Sequence, residues 1–346
     1  MKRSLQPPNA AVSQGADMID SMSFGAGVQS TCIMTLACEG HIPMPRHWVF
    51  ADPGAETQAT YVHLERCKEY LACHGAELIT TSAGNIETEA IEFAHRRSNS
   101  EVRRYASIPL FVQNLDGSHG VLPRQCTTEY KIEPLDALWR QAVLGLAHRQ
   151  HAPKEPAVNV WIGISADEAH RANAAGKWKN ETAEVGKDLL GEPITVKRRT
   201  WVPCKWQVKS FPLLGIRIYP DRTRESDDRF AFCTGWDRDD CLTHLAKVWP
   251  YPVPRSACTF CPYRSNREWA DMKANAPADF ARAVVFDYAV REGYRDGQDR
   301  RGHSAGVPYV HRSRVPLDLV DFSEKLPERK GCCGLFDEEP DGICGV

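Results

Sequence analysis

Two cysteines three positions apart, Cys258 and Cys261, sit in the run Arg255-Ser256-Ala257-Cys258-Thr259-Phe260-Cys261-Pro262-Tyr263-Arg264. That spacing lets one tight turn aim two thiolates at one centre, which suits a metal site. The same spacing serves a dithiol redox pair when it opens a helix beside the first strand of a thioredoxin-like unit. Here it does not, and metal binding is the favoured reading. A mononuclear zinc site takes four protein ligands, usually two such pairs, and the sequence has no second pair with this spacing. Three cysteines on a cubane iron–sulfur cluster, leaving one iron open, fit the count better, with zinc as the alternative. Cys126 in Arg124-Gln125-Cys126-Thr127-Thr128-Glu129-Tyr130-Lys131-Ile132 is the natural third ligand. Arg124 and Lys131 bracket it. Cations so placed bind an anionic nucleotide and lower a thiol pKa, although a solvated helix start carries the same residues. Cys204, Cys233, Cys241, Cys332 and Cys333 compete as third or fourth ligand, while Cys32, Cys38, Cys67 and Cys73 fall on predicted helices and read as packed thiols.

A second constellation lies near the start. Ser23-Phe24-Gly25-Ala26-Gly27-Val28-Gln29-Ser30 puts a glycine-rich turn before a helix-like run. Such a turn offers unpaired backbone N–H groups and about half a positive charge, a phosphate site where the backbone can approach, and Ser23 and Ser30 add hydroxyl donors. No lysine follows the second glycine as in the Walker-type loop, and the third glycine of the dinucleotide fingerprint is missing, so by itself the run also reads as an ordinary turn. Asp52, in Phe50-Ala51-Asp52-Pro53-Gly54-Ala55-Glu56-Thr57, could accept from a ribose hydroxyl or help hold a cation, or it could simply form the turn before Pro-Gly. In Gly163-Ile164-Ser165-Ala166-Asp167-Glu168-Ala169-His170-Arg171, Arg171 suits bidentate phosphate contact, and the acids equally suit a helix N-terminus.

Basic and aromatic residues interleave at Lys177-Trp178-Lys179, Lys197-Arg198-Arg199-Thr200-Trp201 and Lys205-Trp206. Single-stranded nucleic acid would meet such a patch with its phosphates and stacked bases; surface charge with buried tryptophans is the plainer alternative. The tail, with Cys332, Cys333 and Cys344 among glycines, reads as a mobile cysteine arm or a disordered or cluster-capping end. The histidines form no H-x-x-x-H helix, and no serine-hydrolase motif occurs.

The elements that must position these groups alternate. Met18–Ser23 reads as a short buried strand, 28–38 as a helix stopped by Gly40, and His47–Ala51 as a second strand. A second helix runs from Thr57 to Cys73 and is closed by Gly75, Leu78–Thr80 is a third strand, 132–147 a further helix and 158–164 a core strand. Strands alternating with helices predict an α/β fold with a parallel, doubly wound, Rossmann-like sheet whose ligands sit beyond the strands' carboxyl ends. The stretch from Ala83 to Arg124 looks irregular, and the sheet is expected to run to about residue 170. This divides the chain into a leader (1–17), a nucleotide-binding α/β domain (18–175), a smaller cysteine-bearing region (176–325) and a Cys/Gly-rich tail (326–346).

Composition sets the limits. The 346 residues carry 43 Lys+Arg against 45 Asp+Glu, a net charge of −2, with 42% hydrophobic residues. Disorder as the dominant state is excluded, and any nucleic-acid contact must come from a local patch because the whole-molecule field is weak. No stretch approaches the ~20 apolar residues of a membrane span and the N-terminus lacks a signal-peptide core, so no membrane partner is expected and the protein is expected to be cytoplasmic. In that compartment 13 cysteines are thiols or ligands rather than a disulfide framework.

In chain order, Ser23–Ser30, Phe50–Thr57, Arg124–Ile132, Gly163–Arg171 and Arg255–Arg264 resemble the PP-loop proteins of the adenine nucleotide alpha-hydrolase superfamily. The likeness is nearest the phosphoadenosine-phosphosulfate reductase-like branch and its bacterial and phage relatives. The usual loop is S-G-G-x-D-S; here Phe24 stands at the first glycine place and Gln29 at the aspartate place. The resemblance implies ATP, or another adenine nucleotide, with Mg2+ on Ser23, Phe24, Gly25, Ala26, Gly27, Gln29, Ser30, Asp52, Gly163 and Arg171. It also implies a 4Fe-4S cluster on Cys126, Cys258 and Cys261, with Lys131, Arg171 and Cys126 serving catalysis. The implied activity is adenylating sulfur transfer to a base of tRNA or DNA, with sulfur supplied by a donor. Two alternatives stand beside it. One is a sulfonucleotide reductase using Cys344 and thioredoxin, although the Cys344-Gly345 pair matches only part of that family's C-terminal motif. The other is a non-catalytic nucleotide-binding subunit of a phage or defence complex.

Overall fold

The computed structural model describes residues 18–95, 108–114, 117–147, 149–187, 193–296 and 306–323. Strand β1 (Ile19–Ser23) leads into helix α1 (Val28–Cys38), β2 (His47–Ala51) into α2 (Gln58–Cys73), and β3 (Leu78–Thr81) into α3 (Ile86–His95). A hairpin of β4 (Phe111–Gln113) and β5 (His119–Val121) follows. Next come α4 (Glu133–Leu138), the central part of a helical run over Thr128–Val143, and β6 (Val158–Ile162). Then come a ribbon of β7 (Gly176–Lys187) and β8 (Pro193–Pro203), and strands β9 (Gln207–Phe211), β10 (Ile216–Ile218) and β11 (Arg224–Ser226). Helices α5 (Arg238–Val248), α6 (Asn266–Asn275) and α7 (Pro277–Asp296) and strand β12 (Val307–Tyr309) complete the set. The proposed leader and the tail with Cys332, Cys333 and Cys344 lie outside the described residues.

The main sheet has the order β11-β10-β9-β6-β1-β2-β3. Its strands β9, β6, β1, β2 and β3 are parallel, and β10 and β11 extend it antiparallel. Both faces are covered, which is why β6 is buried along its whole length instead of alternating. Period-2 geometry divides the side chains: Met22, Trp48, Phe50 and Trp161 pack under α1, α2 and α5, whereas Val49, Val158, Val160 and Ile162 pack against Leu135 and Trp139. The sheet therefore continues past residue 170, taking three strands from 207–226. Of these, β10 and β11, at three residues each, are too short to show a period in the sequence.

The stretch from Ala83 to Arg124 is more ordered than its sequence suggests. Helix α3 buries Ile86, Ala90 and Ala94, a one-sided row whose small members give a weak signal. Its partner is α7: a Cβ on Gly293 would lie 2.6 Å from the carbonyl carbon of Ala94, so the helices touch at the backbone there. Strand β12 pairs with β4, and Phe260 stacks on Phe286 with centroids 3.7 Å apart. Residues of α3, β4, α6 and α7, with Phe260 and Leu317, thus share a second core. Among the described residues no helix is long and apolar enough to cross a membrane.

A polar network closes the amino-terminal end of the sheet. Asp20 accepts from Asn159 Nδ2 (2.6 Å), Trp161 Nε1 (2.8 Å) and Arg229 Nη1 (2.8 Å), and Asp227 accepts from Arg229 (2.8 Å) and Arg217 (3.0 Å). Burial by itself would lift the Asp227 carboxyl, but Arg229 and Arg217 bind its charged form and the net shift is downward. A carboxyl lowered in the folded state lends stability that is complete above the ordinary Asp value of about 3.9 and drains away as pH falls through the folded value. Asp227→Asn is expected to lose about 1–3 kcal/mol at pH 7 and to show a flatter decline on acidification. Urea titrations from pH 7 to pH 3 check this, and an acid limb identical to wild type contradicts it.

Candidate functional site

Neighbouring strands β1 and β6 connect onward to opposite sides of the sheet, so their carboxyl ends open a crevice at the topological switch point. The glycine turn fills one side of it. Phe24 donates its N–H to the Val49 carbonyl (2.8 Å) and packs its ring edge-on against Trp48, with centroids 6.3 Å apart. Ala26, at φ 54°, is fully buried as well. The residue standing at the first glycine place is therefore a core residue. The crevice wall takes Ser23, Gly25, Gly27, Val28, Gln29 and Ser30 from this segment, and neither Phe24 nor Ala26. Ser23 Oγ is buried and unpartnered at the strand end.

Gln29 has a structural use that an aspartate could not supply. Its Nε2 donates to Ser165 Oγ (3.2 Å) and Glu168 Oε2 (3.3 Å), tying α1 to the segment after β6, and Glu168 Oε1 in turn holds Arg171 Nη1 at 2.6 Å. Gly163 makes this closeness possible. A Cβ there would stand 3.0 Å from the Ser30 nitrogen and 3.2 Å from the Gln29 carbonyl carbon.

The thiols close the other side. A Cβ on Gly27 would lie 3.5 Å from both Cβ and N of Ser256, so the turn and the Cys258 segment are in contact. Glu56 forms an isolated antiparallel bridge with Cys258, and the Thr259 N–H donates to the Ala55 carbonyl (2.9 Å). The buried Glu56 carboxylate accepts from Lys131 Nζ (3.1 Å) and Ser256 Oγ (3.4 Å) at Oε1, while its Oε2 has no partner among the described residues. Arg264 donates to the carbonyls of Ala257 (3.1 Å) and Cys258 (3.0 Å), which fixes the Cys258–Cys261 turn.

Together these walls enclose about 240 Å³. Cys126, Cys258 and Cys261 all line it, as do Arg124, Lys131, Arg171, Arg238 and Arg255, against a single acid, Glu168. Burial lifts the Cys126 thiol, opposed by Arg124 and Lys131, and it lifts Cys258 further, with Glu56 adding to the rise. For Lys131, burial opposes the charge, but Glu56 and the neighbouring thiols outweigh it and the ammonium is held above its ordinary value. The cavity thus combines excess positive charge, backbone donors and three thiols.

Several predicted residues fall elsewhere. Asp52 is not on the wall: its Oδ1 accepts from the Gly54 N–H (2.8 Å) and Tyr61 Oη (2.8 Å), the turn-forming use of such a residue. Cys233 and Cys241 are buried in the main core with Cys32, and Cys204 lines a different cavity. Cys73, expected to be packed, is exposed. Glu56, Arg238, Arg255 and Tyr263 belong to the site without having been singled out. Glu56, Arg255 and Tyr263 lie inside segments the sequence did mark, whereas Arg238 reaches the cavity from the start of α5 and left no local signal.

Among the described residues, no three His, Cys, Asp or Glu side chains converge on one metal-ion position. A single zinc would need thiolates about 2.3 Å from a common point. Cys126, Cys258 and Cys261 nonetheless line one cavity. No protein-family model, curated protein or solved structure matches the chain.

The Glu56–Lys131 pair can be tested directly. Glu56→Ala leaves a mostly buried ammonium without its counter-charge and is expected to cost about 3–5 kcal/mol. Chemical denaturation measures this, and a loss below about 1 kcal/mol would show that the pair does not organise the site.

Proposed function

We propose that this protein is an adenylating sulfur-transfer enzyme that binds ATP with Mg2+ at the β1–α1 turn and modifies a nucleic-acid base. The observation that carries the reading is one cavity holding the α1 N-terminus, five cationic side chains and three cysteines. Backbone N–H groups of Gly25, Val28, Gln29 and Ser30 on the wall would face the phosphates, while the Ser30 hydroxyl and Gly27 bond to each other and hold the turn, and Lys131, Arg171 and Arg238 would counter the phosphate charge. A carbonyl oxygen of the acceptor base attacks the α-phosphorus and forms an O–P bond, while the bond to the bridging oxygen breaks and pyrophosphate leaves with that electron pair. Positive groups beside the pentavalent centre stabilise the charge it develops.

Cys126, Cys258 and Cys261 would hold a 4Fe-4S cluster, which when bound would supply sulfur at the hydrosulfide level, so that AMP would leave the adenylated carbon and C=O would become C=S with no net change of oxidation state. Lys131 sits between Glu56 and the thiols, where its ammonium can offset thiolate charge. Glu56 keeps it protonated.

Protein purified without oxygen is expected to contain iron and acid-labile sulfide, and Cys126→Ser and Cys258→Ser should each lose most of the iron. A colourless wild-type protein holding one zinc would remove the cluster. Independently, Gly163→Val is expected to weaken ATP binding at least about tenfold by pushing the α1 N-terminus away from its ligand. Unchanged ATP affinity by calorimetry would place the nucleotide elsewhere.

A further inference from the structure

A second cavity of about 500 Å³ adjoins the first, with Ser23, Ile162 and Arg171 lining both. Its size lies within the range of small-molecule sites. Its floor is polar. Gln207 Nε2 donates to Asp136 Oδ1 (2.6 Å), and the Lys209 ammonium beside them has no hydrogen-bond or ion-pair partner among the described residues. Burial lifts the Asp136 carboxyl and lowers the Lys209 ammonium, so both sit where water is scarce. No group of the nucleotide-binding reading accounts for them.

Two indoles, Trp139 and Trp201, stand in the wall among aliphatic and polar residues. Trp139 donates its indole N–H to Ser21 Oγ (2.8 Å) and Trp201 donates to the Pro220 carbonyl (3.1 Å), which commits the polar edge of each indole away from a ligand. A Cβ on Gly176 would stand 2.4 Å from Trp201 Cζ2, so the glycine lets this ring settle at the cavity edge. At the mouth are Lys177 and Arg222, whose guanidinium carbon lies 5.8 Å from the Trp201 ring centroid.

The mouth is also the root of the β7–β8 ribbon, a two-stranded sheet separate from the main one. Lys177 and Lys179, two residues apart on β7 and therefore on one face, are exposed. The basic and aromatic run noticed in the sequence at 177–179 and 197–201 is this ribbon. A chamber with two indoles in its wall, donors and acceptors at its floor and cations at its mouth matches a heteroaromatic base still attached to its sugar-phosphate chain.

We propose that the second cavity receives the acceptor base, turned out of a single-stranded nucleic acid whose backbone lies along the β7–β8 ribbon. This rests on the ATP-dependent reading above and adds where the acceptor enters and which residues hold it. Trp201 and Trp139 contact the base faces, Asp136, Gln207 and Lys209 meet its polar edge, and Ser23 and Arg171 mark the opening through which its carbonyl oxygen reaches the α-phosphate.

The test uses the full chain and fluorescein-labelled single-stranded oligonucleotides of mixed sequence, RNA in one arm and DNA in the other, at fixed salt. Trp201→Ala and Lys209→Met are each expected to weaken binding of the preferred oligonucleotide at least about tenfold while leaving ATP affinity unchanged, and Trp201→Phe should retain most of it. Lys209→Met keeps the measurement decisive if Trp201→Ala does not fold. Wild-type oligonucleotide affinity in both variants, no oligonucleotide binding by the parent protein, or loss of ATP binding in place of oligonucleotide binding would each overturn the assignment. Failure of the parent to bind ATP would instead defeat the underlying reading, which separates the two.

Discussion

One buried carboxylate holds the site together. Glu56 bridges the backbone of Cys258, accepts from Lys131 and receives the Ser256 hydroxyl, so the β2 turn, the helix after Cys126 and the Cys258–Cys261 loop meet at one residue. Burying such a charge is unfavourable unless it is paired and hydrogen-bonded. Chain segments far apart in sequence are therefore fixed to one another by the need to satisfy it.

Around this residue the main sheet meets the second core. The main sheet supplies the switch-point crevice and the α1 N-terminus, and the second core supplies Ala55, Tyr130 and Phe260, which back the thiol wall. Since the site draws on both, its geometry depends on the α3–α7 contact as much as on the sheet. Positive groups outnumber acids on the cavity wall although the whole chain is close to neutral. Attraction for a polyanion is thus a local property of the crevice.

The sequence makes the βα units legible because their signals are local. Apolar runs bounded by Gly40 and Gly75 mark α1 and α2 to within a residue, and β6, apolar but for Asn159, marks a strand covered on both faces. Elements whose reason is distant were not legible. Helix α3 buries a row of mostly small residues against α7, and β9–β11 are strands only because β6 offers an edge. The same rule holds within the site. Cys126, Lys131, Cys258 and Cys261 stand in recognisable segments, while Arg238 enters from α5 and Glu56 shows its role only when Lys131 is beside it. Phe24 and Asp52 illustrate the opposite case: position in a motif suggested ligand contact, and packing against Trp48 and a closed Asp-Pro-Gly turn took the two side chains instead.

The central claim is that the glycine turn and the three thiols serve one reaction in one cavity. A crystal of the anaerobically prepared protein grown with Mg2+ and a non-hydrolysable ATP analogue, with data collected at the iron edge, tests it most directly. The account predicts anomalous density against Cys126, Cys258 and Cys261 and phosphate density against Gly25–Ser30 within the same enclosure. Phosphates bound at another surface, or iron absent from those thiols, would contradict it.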